Sequence, residues 1–233
     1  MATQDELKQK AAFRAVEFVE SDMVVGLGTG STTEPAVKRI AQRLKAGELK
    51  NIVGIPSSVR TEKLAQALNI PLAGFDTHPQ IDMTIDGADE VDPDLNLIKG
   101  GGGALLREKV LAQASRRNII IVDASKLVPN LGTGWALPIE VIPFACHIEE
   151  KFLSALGGTV TARKNQDGTT YTTDQNNFIL DTNFGRIKDA YKLAAQLNER
   201  AGIVEHGLFI DLATDVIVAQ EGGLKHLRRK KKK

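Results

Sequence analysis

The chain has 233 residues, 42% of them hydrophobic and 25% charged, with four histidines and a single cysteine. That length suits one large or two small globular domains with a real core, and the composition is ordinary for a soluble protein. It excludes a disulfide framework and metal-ligand spacing of histidines, and no apolar run approaches the roughly 18–20 residues of a membrane span.

The formal net charge of +1 hides an asymmetry. Residues 228–233 read RRKKKK and carry six positive charges, so residues 1–227 carry −5. A mildly acidic body lacks the basic face that nucleic-acid binding needs. The basic end reads as a disordered, solvated tail. The first 18 residues, MATQDELKQKAAFRAVEF, are polar and carry acids, unlike a secretory or transit peptide. Together with the lone Cys146, this points to a cytoplasmic protein.

In chain order, an amphipathic N-terminal helix comes first and carries Lys8, a surface position by pattern alone. Short apolar strands then alternate with helices: strands at 23–27, 51–55, 81–85, 95–98 and 118–122, helices at 31–45, 59–68 and 104–115. Val37, Ile40, Ala41 and Leu44 make one apolar stripe. The alternation implies an α/β fold: a mostly parallel, twisted, Rossmann-like sheet with helices on both faces. Near residue 132 the pattern changes. A strand at 140–142, a helix at 147–156, antiparallel strands at 159–163, 169–173 and 178–181, and a helix at 188–201 describe a smaller inserted α+β subdomain. Segments 207–211 and 215–219 are expected to return as strands to the first sheet. The expected division is an α/β catalytic domain of 1–131 with 208–227, a subdomain of 132–207, and the tail 228–233.

Ligands of a parallel sheet gather outside the carboxyl ends of its strands, and four expected strands end in polar groups. After the first comes GLGTGSTTEP, residues 26–35. Gly28 and Gly30 let backbone N–H groups face outward. Ser31 or Thr32 can cap the next helix, and Ser31 with Glu34 has capping-box spacing. Such a helix start attracts a phosphate. A tight turn that binds nothing explains the glycines equally well. The loop lacks the lysine of a P-loop, and Ser31 replaces the third glycine of a dinucleotide fingerprint, so one phosphate group is the better fit.

The run from Asp86 to Lys109 is more specific. It reads DGADE, VDPDLNLI and KGGGGALLREK. Asp86 and Asp89 are three residues apart and can face one pocket, with the small Gly87 and Ala88 leaving space beside them. Lys99 and Glu108 bracket four glycines, Gly100, Gly101, Gly102 and Gly103. Such a run costs folding entropy and suits a backbone that must approach a ligand closely. Taken alone, Arg107, Glu108 and Lys109 would be an ordinary wet helix face. Their convergence with Asp86 and Asp89 suggests acid–base chemistry on a small polar substrate. Glu90, Asp92 and Asp94 read as solvated loop charges. Cys146 beside His147 reads as structural, Trp135 as packing, and His78, His206 and His226 lack partners at useful spacing.

Taken together, these motifs resemble the type A ribose-5-phosphate isomerase family. The residues that carry the resemblance are GLGTGSTT at 26–33, DGADE at 86–90, KGGGGALLREK at 99–109 and DASK at 123–126. TQDELK at 3–8, LPIEVIPF at 137–144 and GLF at 207–209 also fit. The resemblance implies interconversion of D-ribose 5-phosphate and D-ribulose 5-phosphate in the pentose phosphate pathway or the Calvin cycle. It implies a phosphosugar substrate, no metal or organic cofactor, no nucleic-acid or membrane partner, and a homodimer or dimer of dimers. Glu108 then resembles the general base, with Asp86, Asp89 and Lys99 at the reacting end. Thr29, Gly30, Ser31 and Thr32 resemble the phosphate loop, with Lys8 and Lys126 as further phosphate partners. The rival readings are a non-catalytic sugar-phosphate sensor of similar fold and a nicotinamide-dependent oxidoreductase.

Overall fold

Helix starts follow the local chemistry of the chain. Thr3 and Glu6 form a capping box, with Glu6 N–H donating to Thr3 Oγ1 at 3.2 Å and Thr3 N–H to Glu6 Oε2 at 2.8 Å. Ser58 and Asp189 cap two later helices by accepting the N–H groups of Thr61 and Lys192. In the computed structural model, which describes residues 3–230, the first elements are α1 (Gln4–Val16), β1 (Val24–Leu27), α2 (Glu34–Lys45), β2 (Val53–Pro56), α3 (Val59–Ala67) and β3 (Ile81–Gly87). Then come β4 (Glu90–Val91), β5 (Leu97–Ile98), α4 (Leu105–Ala114), β6 (Ser115–Asp123), β7 (Leu137–Val141), α5 (Cys146–Ala155) and β8 (Thr159–Ala162). The chain ends with β9 (Phe178–Asn183), α6 (Ala190–Asn198), β10 (Ile203–His206), β11 (Leu208–Phe209), β12 (Asp215–Gln220) and β13 (Gly223–Arg228).

These elements form two compact units. The first comprises residues 1–88, 107–126 and 211–233, and the second 89–106 and 127–210. The first unit holds a six-stranded sheet in the order β13-β12-β6-β3-β1-β2. All neighbours are parallel except the edge pair β12 and β13. Ile119, Ile120 and Ile121 are all fully buried, so β6 is covered on both faces, as a central parallel strand requires. Val25, Ile40, Met83, Ile119 and Ile217 pack with Ala11, Ala12 and Ala15 of α1. Small residues on α1 let its backbone lie close to that layer. Leu111 of α4 packs separately with Ile55 and Ile81.

The second unit holds two antiparallel sheets, β10-β7-β9-β8 and β11-β5-β4. Its core gathers Leu137, Ile139, Val141, Leu153, Leu180 and Leu197. No helix among the described residues is long and apolar enough to cross a membrane.

Several expected strands are placed differently. Segment 95–98 does not join the parallel sheet: β5 pairs antiparallel with β4 and β11. Segment 207–211 likewise does not return to the first sheet, because Leu208 and Phe209 pair with β5. Residues 89–106 therefore group with the second unit. Segment 169–173 is not a strand and makes only an isolated bridge between Lys164 and Thr170. The expected tail begins too early. Arg228 lies in β13, opposite Asp215, and Arg229 donates to Ala213 O and Asp211 Oδ1, while residues 231–233 lie outside the described residues. β13 escaped the sequence reading because its apolar residues are few and its register is set by β12.

His226 has a partner after all. Its Nε2 lies 2.7 Å from Asp215 Oδ1, and Arg117 forks the same carboxylate at 2.9 and 3.0 Å. Burial raises the Asp215 carboxyl, but Arg117, Thr214 and His226 outweigh it and hold it down to about 2. A carboxyl depressed by folding stabilises the protein above its unfolded value near 4 and loses that contribution as pH falls towards 2. The loss amounts to about 2 kcal/mol. Urea unfolding at about pH 6 and pH 2 should therefore show a smaller acid loss, by roughly that amount, in Asp215→Asn than in the parent.

Candidate active site

The sequence-predicted site residues fall into one set in each unit. In the first unit they lie at the carboxyl ends of β1, β3 and β6, which are neighbours in the sheet, except Lys8 on α1 and Glu108 on α4. β2 lies on one side of β1 and β3 on the other, so the strand order reverses between β1 and β3, where open α/β sheets bind ligands.

Asp86 is the last residue but one of β3 and is 2% exposed. Its Oδ1 accepts the N–H of Gly87 at 2.8 Å and of Thr29 at 3.2 Å. The carboxylate is thus held by the backbone of the phosphate-loop candidate itself. Gly28 is required there by close approach: a Cβ would lie 2.3 Å from Asp86 Oδ1 and 2.5 Å from the Ile85 carbonyl oxygen. Gly30 has φ +105°, the left-handed region, with open space beside it.

The Thr29 hydroxyl sits among Ser57 Oγ at 2.7 Å, Ser58 Oγ at 2.8 Å and Thr61 Oγ1 at 3.1 Å. This cluster was missed in the sequence. Its only visible signal is the cap spacing of Ser58 and Thr61, which reads as a helix start alone. The expected capping role of Ser31 is not what forms. Thr33 occupies the N-cap of α2 without a side-chain cap bond, and its hydroxyl donates to Gly30 O at 3.0 Å. Glu34 instead pairs with Lys38 at 2.7 Å.

Ser31 has a different partner. Lys8 Nζ donates to Ser31 Oγ at 3.2 Å, and one turn earlier Gln4 Nε2 donates to Asp123 Oδ2 at 3.4 Å. One face of α1 thus ties together the carboxyl ends of β1 and β6. Periodicity alone makes Lys8 a surface residue, whereas its ammonium lies against the loop. Burial raises the Asp123 carboxyl, but Ser125, Gln4 and the charge of Lys126 outweigh it and hold it below its ordinary value. Lys126 closes the short 3₁₀ turn that follows β6. Thr32 packs near Gly87, its Cβ 3.6 Å from where a Gly87 Cβ would be. Glu108 on α4 is 4% exposed and Lys109 5%, so this is not a wet helix face.

In the second unit, Asp89 precedes β4 and Lys99 follows β5, at one end of an antiparallel pair. Asp89 N–H donates to Ile98 O at 2.8 Å, and Lys99 N–H to Gly207 O at 2.9 Å. Lys99 therefore does not end a parallel strand as expected. It is 3% exposed, with Nζ 5.3 Å from the centre of the Phe209 ring. Asp89 Oδ2 accepts the N–H of Gly101 at 2.8 Å. Glu90, read as a solvated charge, is buried and accepts Gly132 N–H and Gly134 N–H, each at 2.6 Å. It anchors the loop that carries Trp135, whose Cζ2 lies 2.9 Å from the place of a Gly101 Cβ. Asp92 also works locally, accepting the N–H groups of Asp94 and Asn96. Among the described residues, no group of three or more His, Cys, Asp or Glu side chains could hold a metal ion.

The sequence model of the family Ribose 5-phosphate isomerase A (phosphoriboisomerase A) matches residues 53–223. The chain belongs to this family. Ribose-5-phosphate isomerase A of Desulfatibacillum aliphaticivorans is 58% identical over 98% of this chain and 99% of its own length. A solved D-ribose-5-phosphate isomerase in complex with phospho-erythronic acid superposes with a TM-score of 0.95 at 42% identity, covering 98% of this chain and all of that one. The ribose 5-phosphate isomerase of Plasmodium falciparum gives 0.94 at 41% identity, with the same coverage. The activity is that of an aldose–ketose isomerase acting on D-ribose 5-phosphate and D-ribulose 5-phosphate, and a non-catalytic sensor is not favoured.

The close approach at Gly28 is testable. Gly28→Ala should lose about 1–3 kcal/mol in urea unfolding, because the new methyl meets backbone and the Asp86 carboxylate. Gly102→Ala, with nothing within 4 Å of its Cβ, should stay within about 0.5 kcal/mol of the parent.

Proposed function

We propose that Glu108 is the general base of the isomerisation. An aldose becomes a ketose when a base removes the C2 proton and returns it to C1 through an enediol. One carboxylate facing the same side of both carbons performs both transfers, a contribution of about 10²- to 10⁴-fold. Negative charge develops on the carbonyl oxygen as the C2 proton leaves. Lys99 and the N–H groups of Gly100 and Gly102 stabilise it, each such donor contributing about 3–4 kcal/mol. Asp86 and Asp89 handle the proton of the sugar hydroxyl and the opening of the ring. Thr29, Gly30, Ser31 and Thr32 hold the phosphate with Lys8 and Lys126, and this grip positions the reacting carbons.

The observation that carries this reading lies within the first unit. The buried carboxylate of Asp86 and the Thr29 N–H of the loop share a hydrogen bond, and Lys8 reaches the same loop. This shared bond supports a reading in which Asp86 and the anion cradle work as one piece. The phospho-erythronic acid bound by the related enzyme carries a phosphate and a carboxylate, the two anionic features that this reading puts at opposite ends of the bound sugar. The reading extends to metal-independent turnover in the pentose phosphate pathway or the Calvin cycle, by a cytoplasmic homodimer or dimer of dimers.

With ribose 5-phosphate and a chelator present, the parent should form ribulose 5-phosphate. Glu108→Gln should bind substrate normally while its kcat falls by about 10²- to 10⁴-fold; normal turnover would remove Glu108 as the base. Lys126→Ala should raise KM for the phosphorylated sugar with a smaller change in kcat, and an unchanged KM would take Lys126 out of the phosphate site.

A further inference from the structure

Four consecutive glycines have no side chains with which to hold themselves, yet the proposed chemistry needs their peptides aimed. In the second unit the aim comes from Arg163, which immediately follows β8. Its Nε donates to Asp181 Oδ2 at 2.8 Å, and its Nη2 donates to Oδ1 of the same carboxylate. Asp181 lies on β9, so the guanidinium is fixed by a neighbouring strand in bidentate geometry. The remaining nitrogen, Nη1, donates to Gly100 O at 3.0 Å and to Gly101 O at 3.1 Å. The Arg163 side chain is 14% exposed. Tyr171 lies alongside, its ring centre 5.8 Å from the guanidinium carbon and its hydroxyl 2.1 Å from the place of a Gly103 Cβ.

Peptide planarity turns these contacts into a direction. In a trans peptide the N–H points opposite to the C=O of the preceding residue. Holding Gly100 C=O on the guanidinium therefore turns Gly101 N–H the other way, and that N–H donates to Asp89 Oδ2 at 2.8 Å. Holding Gly101 C=O turns Gly102 N–H away from Arg163 in the same manner. A positive charge on each carbonyl also polarises its peptide and strengthens the N–H as a donor.

We propose that Arg163, locked by Asp181, is a positioning residue for the isomerisation, orienting the Asp89 carboxylate and the Gly102 N–H through the first peptides of the glycine loop. The proposal rests on the reading that Asp89 and this loop act at the reacting end of the sugar. Lysine at this position would keep the charge but not the planar fork that serves a carboxylate and two carbonyls at once.

The test is a double-mutant cycle of Arg163→Met and Asp89→Asn, followed by steady-state kinetics on ribose 5-phosphate and thermal melting of each variant. Arg163→Met should lose roughly 10- to 100-fold in kcat, with KM changed less than about threefold. Added ethylguanidinium should restore part of that kcat. The double variant should lose clearly less than the product of the two single losses, because Arg163 acts in part through Asp89. Wild-type kcat in folded Arg163→Met, or losses that multiply in the double variant, would overturn the proposal. If Arg163→Met does not fold, Asp181→Asn takes its place with the same expected loss, and wild-type kcat there overturns it. Wild-type turnover by Asp89→Asn would instead remove the reading of the site, and the proposal with it.

Discussion

The constraint on which the rest depends is buried charge. Asp86, Lys99 and Glu108 are 2%, 3% and 4% exposed. Taking each of these ions out of water costs several kcal/mol unless hydrogen bonds and opposite charges offset it. The chain meets this cost for Asp86 with backbone N–H groups, and those are free to serve only where the ladder of a sheet has ended. The carboxyl end of β3, beside the carboxyl end of β1, is such a place. The location of Asp86 therefore follows from sheet topology as much as from the residue itself. The requirement at Gly28 follows in turn, because a loop whose N–H reaches the carboxylate leaves no room for a methyl group.

The second unit meets the same constraint without a parallel sheet. Its two-residue strands β4 and β5 are too short to be stable alone. They are fixed by β11 and by Glu90, whose two oxygens each take a backbone N–H from the loop at 132–134. Charge-assisted bonds of this kind are about twice as strong as neutral ones. They hold Trp135 against Gly101, while Arg163 holds the carbonyls of Gly100 and Gly101. The glycine run is thus fixed by its neighbours and by its own turn, in which Gly103 N–H donates to Gly100 O at 2.9 Å.

Legibility in the sequence divided along the same physical line. The elements of the parallel sheet were visible because burial on both faces forces long apolar runs such as Ile119, Ile120 and Ile121. The helices 34–45, 59–67 and 105–114 were visible through their periodicity. The short antiparallel pieces were not, because a strand of two residues has no periodicity, and pairing between β5 and β11 joins segments more than 100 residues apart. Among the candidate site residues, spacing singled out Asp86, Asp89, Lys99 and Glu108. It could not single out Lys8, whose contact with Ser31 depends on where α1 packs. Arg163 was silent for the same reason: nothing near it in sequence indicates the carbonyls it holds.

The motif DGADE shows why residue type alone was insufficient. It contains three carboxylates within five positions, and Glu90, which the sequence sets apart as a solvated charge, is buried like Asp86. Their donors separate them. Asp86 is bound by Thr29 and Gly87 N–H groups in the first unit. Asp89 takes the N–H of Gly101, and Glu90 those of Gly132 and Gly134, in the second. Both oxygens of Glu90 are committed to the loop backbone, which makes it an anchor. Asp86 and Asp89 each take their N–H groups from the loops assigned to the substrate, one from the phosphate cradle and one from the glycine run. A carboxylate tethered to a substrate-binding loop moves with that loop. Any change that shifts the loop therefore shifts the carboxylate with it, and under the proposed reaction this coupling makes the peptides around Thr29 and Gly101 part of the chemistry.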